Sequence, residues 1–146
     1  MKIFWDTNLF IYLWEEGPQT QRTRSFVDWV VDSGHEVVTS ALTLGEILVH
    51  PFRMGDENRV RDYEEAFSGI DVVAFSSAVA RHFAKLRAMH ANLRPPDAMQ
   101  LASAIHTQAD VFVTHDHRLA SITLEASLRI MALTDWETLK TINLRQ

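Results

Sequence analysis

Cysteine is missing altogether from the 146 residues. Its absence excludes a disulfide-stapled scaffold and any thiolate zinc site, suits a reducing compartment, and leaves oxygen or histidine to hold whatever metal the protein binds. Long apolar runs are missing too. No stretch approaches the roughly 20 residues that a membrane span needs, and Asp6 interrupts the N-terminal apolar segment too early for the core of a signal peptide. The expectation is a soluble, unexported, cytoplasmic protein that makes no use of a membrane. Positive charge is also in short supply. A formal net charge of −5 and a pI near 5.7 argue against nucleic-acid binding through a broad basic surface. Lysine is almost absent, only Lys2, Lys85 and Lys140, so the basic residues are mostly arginines, which suit bidentate phosphate contacts. No repeat, low-complexity tract or linker divides the chain. Its length and 47% hydrophobic content match a single domain over residues 1–146 with one core to fill.

Acidic residues, by contrast, stand where a folding domain would want no charge. Asp6 is the only charge between Lys2 and Glu15, and Glu46 the only one between Glu36 and Arg53. Asp97 follows Pro95-Pro96, and Asp116 follows the apolar run Val111-Phe112-Val113. Apolar neighbours should draw Asp6 and Glu46 inward, and a buried carboxylate without a partner is costly and tends to protonate. Basic residues that could neutralise these acids are missing from the same runs.

Apolar periodicity and capping signals predict strands at 2–5, 36–39, 70–75, 110–114 and 128–133. Between them the pattern predicts helices over 9–14, with Asn8 as its cap, and over 19–33, closed by Gly34. Further helices are expected from Ser40 to near Pro51, over 56–67, from Ser76 to about His90, and from Asp97 to about Gln108. Thr134 with Glu137 three residues on reads as a capping box for a last helix over 135–142. Continuous Val, Ile and Phe in strands that alternate with helices predicts a three-layer α/β/α fold around a mostly parallel, five-stranded sheet. In such sheets ligands bind beyond the carboxyl ends of the strands, which is where Asp6 and Asp116 fall. Glu46, in the helix after the second strand, and Asp97, at a helix start, can reach the same edge. Two carboxylates ~4 Å apart repel by about 4 kcal/mol at an effective dielectric of ~20, so four together need a counter-charge. Magnesium or manganese supplies it through hard oxygen ligands, and the matching reaction is phosphodiester hydrolysis.

The same residues carry a resemblance over nearly the whole chain. Phe4-Trp5-Asp6-Thr7-Asn8, the segment Thr39 to Glu46, the segment Pro96 to Ala104, and Val113-Thr114-His115-Asp116 resemble, in order and spacing, the four acidic motifs of the PIN-domain nucleases. Length and a compact single domain make the chain most similar to the VapC-type ribonuclease toxins of toxin-antitoxin pairs. The resemblance implies that Asp6, Glu46, Asp97 and Asp116 hold one or two Mg2+ or Mn2+ ions and cut RNA. It implies supporting roles for Asn8 and Thr114 in orienting a carboxylate or a water, and it implies a cognate antitoxin and a homodimer. The chain departs from the family's Thr-Asn-Asp at Thr114-His115-Asp116-His117.

Blander readings stand beside these. Asp6 and Asn8 are good helix caps, and an acid after Pro96 complements a helix dipole. Phe4, Trp5, Phe10 and Trp14 suit a core and a dimer surface before base stacking. Arg22 with Arg24, Arg59 with Arg61, and Arg81 with Lys85 are candidate phosphate contacts whose default is a solvated face. Two other functions compete with the nuclease: a PIN-like module that only binds RNA or protein, and a phosphatase with an aspartate nucleophile. The phosphatase needs a second Asp two residues after the first, where this chain has Asn8.

Overall fold

The computed structural model describes residues 1–142. Five strands, β1 (Lys2–Trp5), β2 (Glu36–Ser40), β3 (Asp71–Val73), β4 (Val111–Thr114) and β5 (Arg129–Ala132), form one sheet in the order β3-β2-β1-β4-β5. Every pairing is parallel. Side chains alternate across the pleat, so Ile3, Trp5, Val111 and Val113 enter one apolar cluster while Phe4, Val38 and Phe112 enter another. The aromatic group of the first motif is thereby divided by the sheet. Trp5, Phe10 and Trp14 share one face, and Phe4 stacks on Phe112 on the other.

The first face is covered by α1 (Thr7–Trp14), α2 (Thr20–Asp32) and a closing 3-10 helix (Leu133–Lys140), joined at one end by α3 (Ala41–Arg53) and α4 (Glu57–Ser68). The second is covered by α5 (Ser77–Met89) and α6 (Pro95–His106). A short α7 (His117–Ala120) follows β4. Gly34, at φ +65, ends α2 as expected. Its N–H reaches the Val31 carbonyl and that of His35 the Val30 carbonyl, which satisfies two terminal acceptors.

Several boundaries differ from the sequence reading. The cap of α1 is Asp6, whose carboxylate accepts from the Thr7 N–H at 2.8 Å, and Asn8 lies inside the helix. Helix α3 passes through Pro51 to Arg53; the proline has no N–H to offer the Ile47 carbonyl, yet the helix continues for two more residues. Strand β3 shrinks to three residues because, at the sheet edge, it has only β2 to pair with. The last helix is 3-10 rather than α, it starts at Leu133, and no side chain caps it. Its buried residues Leu133, Trp136 and Leu139 recur every third position, the period of a 3-10 helix, and that spacing overrides the apparent capping box. Among the described residues no helix is long and apolar enough to cross a membrane.

Candidate functional site

The strand order reverses between β1 and β4: the chain runs outward through β2 and β3, then returns to the far side of β1. Open parallel sheets form their ligand crevice at such a reversal. Asp6 leaves β1 there, its N–H bonded to the Val113 carbonyl of β4 at 3.1 Å. Its side chain is buried, with only 9% of the residue exposed. One carboxylate oxygen accepts from the Thr7 N–H at 2.8 Å and the other from the Thr114 hydroxyl at 2.7 Å. Burial is the main cause of a pKa pushed up to about 6, with those two hydrogen bonds opposing it and the charges of Asp97 and Glu46 acting in the same direction as burial.

Glu46 does not turn inward as the sequence suggested. It projects from the open side of α3, because Thr43 and Ile47 already take the buried positions. The Thr7 hydroxyl still reaches its carboxylate at 3.3 Å. Its pKa is raised, first by partial burial, then by Asp97, with the Thr7 hydrogen bond opposing. Asp97 is half-buried in the first turn of α6, and Asp116 is half-buried at the start of α7. Burial would raise Asp116, but the Leu119 and Arg118 amides and the Arg118 guanidinium outweigh it and hold its carboxyl below the usual range.

The four acids therefore gather at one edge through specific intermediaries. Thr114 is fully buried; it donates to Asp6 and accepts from the Asp116 N–H at 3.0 Å. Arg118 joins Asp97 to Asp116, one of its nitrogens lying 3.0 Å and 3.1 Å from their Oδ2 atoms. Among the described residues no three His, Asp or Glu side chains are grouped closely enough, as placed, to grip one ion. The donor set nonetheless fits a hard divalent cation. It is all oxygen, it carries more negative charge than Arg118 neutralises, and magnesium keeps most of its waters while taking only one or two carboxylates.

Below the acids lies a polar network that sequence reasoning did not single out. Gln100, 3% exposed, donates to the hydroxyls of Thr7 at 3.0 Å and Thr43 at 2.7 Å, and accepts from Ser40 at 2.5 Å. Thr43 and Thr7 lie 3.2 Å apart. With the Thr7 proton on Glu46, the hydroxyl of Thr43 donates to Thr7, and each amide and hydroxyl of the set is used. The available signal was a glutamine in the otherwise apolar run of α6, one turn beyond Asp97. Arg118, two residues past Asp116, was also missed.

His115 faces away from the acids. Its ring lies edge-on to Tyr12, 4.4 Å between centroids, and its Nε2 is 3.3 Å from the Thr23 hydroxyl. Desolvation, then the nearby Arg22 and His117, lower its pKa to about 4, so the ring is neutral at physiological pH. Of the candidate basic contacts, Arg22 thus lies beside His115, on the side away from the acids. Asp110 is not at the site: it accepts from the Lys2 amide at the opposite end of the sheet.

Known proteins share the fold described above. The family profile described as PIN domain matches residues 3–125. Ribonuclease VapC47 of Mycobacterium tuberculosis (strain CDC 1551 / Oshkosh) is 28% identical over 121 residues, covering 82% of this chain and 88% of its own. The fold is similar to the DNA-bound VapBC of Salmonella typhimurium, with TM-score 0.73, 22% identity, and 91% and 98% of the two chains covered. It is similar also to VapBC2 of Rickettsia felis bound to a promoter DNA fragment, with TM-score 0.73, 15% identity, and 90% and 98% covered.

Proposed function

The chain belongs to the PIN domain family, and on that premise we propose that it is a divalent-cation-dependent endoribonuclease acting in the cytoplasm as the toxin of a type II toxin-antitoxin pair. The observation that carries the reading is the state of Asp6. This carboxylate is buried beside Glu46 and Asp97, and no cationic side chain pairs with it among the described residues. A catalytic carboxylate kept at a strained charge in a crevice is a site candidate on physical grounds.

In this reading Asp6, Glu46, Asp97 and Asp116 hold Mg2+ or Mn2+, which would polarise the phosphoryl group and make an attacking water more acidic. Thr114 and the Thr7 amide fix the Asp6 carboxylate by one hydrogen bond on each oxygen. Thr7 turns Glu46 toward Asp6, and Gln100 holds Thr7. Asn8, half-buried in the first turn of α1, is assigned to orienting the water. Water adds to phosphorus and gives up a proton to solvent, the bridging P–O bond breaks, and the departing oxygen takes a proton from solvent.

The antitoxin and the homodimer belong to the same proposal, and the similarity to VapBC proteins supports the first. Purification of the chain from its native operon should recover a second, tightly bound protein; a chain that comes alone and is harmless to cells removes the toxin role. Light scattering at micromolar concentration should give twice the chain mass. The nuclease itself is tested by exposing a mixed RNA pool to wild type and Asp97→Asn in manganese, magnesium or EDTA. Cutting is expected only for wild type with metal. An uncut pool with folded wild type in every condition would return the chain to the role of an RNA- or protein-binding module.

A further inference from the structure

Arg118 stands out because two of the proposed ligands share it. A single terminal nitrogen of its guanidinium donates to Oδ2 of Asp97 at 3.0 Å and to Oδ2 of Asp116 at 3.1 Å. The side chain is 46% exposed, so it enters from the rim and nothing buries it in place. We propose that Arg118 is a built-in competitor of the catalytic cation: it and the ion claim the same two oxygens, and loading requires the guanidinium to leave. This rests on the nuclease reading above and adds to it a control on metal occupancy.

The division of labour within Asp116 makes the exchange feasible. Its Oδ1 accepts from the amides of Arg118 at 2.9 Å and Leu119 at 3.2 Å, capping α7, while Oδ2 faces the guanidinium. Arg118 can withdraw and give up Oδ2 without unravelling the helix that carries it. At Asp97 the exchanged atom is again Oδ2, where the more exposed Arg94 makes only a looser contact at 3.7 Å. Arg94 touches one acid and Arg118 bridges two, so they bear equal charge on the site but only Arg118 blocks both oxygens. An Mg2+ or Mn2+ ion taking its place would raise the local positive charge by one unit, and the field of Asp6 and Glu46 would act in the ion's favour.

Calorimetric titration of Mn2+ into wild type, Arg118→Gln, Arg118→Lys and Arg94→Gln at fixed ionic strength separates competition from simple charge removal. Arg118→Gln is expected to tighten the Kd by roughly three- to tenfold, the scale of two partly exposed ion pairs. Arg94→Gln should tighten it clearly less, and Arg118→Lys, which keeps the charge without the planar fork, should fall between wild type and Arg118→Gln. Equal tightening by the Arg94 and Arg118 glutamine variants, or unchanged or weaker binding by Arg118→Gln, would overturn the competition while leaving the nuclease reading intact. Absence of Mn2+ binding by wild type and Arg118→Gln alike would remove both.

Discussion

Asp6 is asked to do two things that conflict: cap a helix from inside the protein and carry a charge there. The proton resolves the conflict at low pH. With its pKa raised from 3.8 to about 6, protonated Asp6 contributes stability that is complete below 3.8 and is lost as pH rises through about 6. The loss across that window is of order 3 kcal/mol. Asp6→Asn should therefore flatten this part of the stability profile. In EDTA at pH 7.5 urea unfolding should show the variant more stable than wild type by about 1–3 kcal/mol, though inactive on RNA. A less stable variant would mean that the Thr7 and Thr114 hydrogen bonds outweigh burial. His115 slopes the other way. Its stabilisation is present above 6.5 and lost as pH falls through about 4, so His115→Asn should remove part of the acid sensitivity below pH 6.5. At this scale Asp6 and Glu46 could be singled out because each interrupts a run of apolar residues, Asp97 because it follows Pro95-Pro96, and Asp116 because it closely follows the run Val111-Phe112-Val113. Gln100 and Arg118 could not, since the partners that give them meaning lie up to 93 residues away along the chain.

Helix starts show how one residue serves two elements. Ser40 ends β2, caps α3 through the Thr43 amide at 3.2 Å, and gives its hydroxyl proton to Gln100 on α6. Gln100→Ala would empty the node between α1, α3 and α6 and leave buried hydroxyls unpaired. We expect a loss of roughly 2–4 kcal/mol in urea unfolding, with cleavage falling further than the unfolded fraction explains. Helix α7 depends likewise on Asp116. Asp116→Ala should speed hydrogen exchange at the Arg118 and Leu119 amides, whereas Asp116→Asn, which keeps the accepting oxygen, should protect them while weakening Mn2+ binding. The α7 helix was invisible beforehand because four residues carry no period. The closing helix was seen but misassigned, because a capping-box spacing was weighed above the three-residue recurrence of Leu133, Trp136 and Leu139.

Across the whole molecule, acids separated by up to 110 positions converge because β1 lies at the centre of the sheet and β4 inserts beside it. Alternating elements announced a parallel sheet, but the order β3-β2-β1-β4-β5 could not be read from them, since pairing between distant strands leaves no local trace. If the crevice holds a cation only when folded, saturating Mn2+ should raise the melting temperature and EDTA should reverse it. At 100-fold excess over Kd the gain is about 2.7 kcal/mol. The strand order also sets a timetable for synthesis. A ribosome delivers Asp6, Glu46 and Asp97 first, yet the crevice has one wall until β4 emerges and docks against β1. On the nuclease reading proposed above, a nascent chain would lack this edge through most of its own elongation and acquire it only once Val111–Thr114, in the last quarter of the 146 residues, has been made.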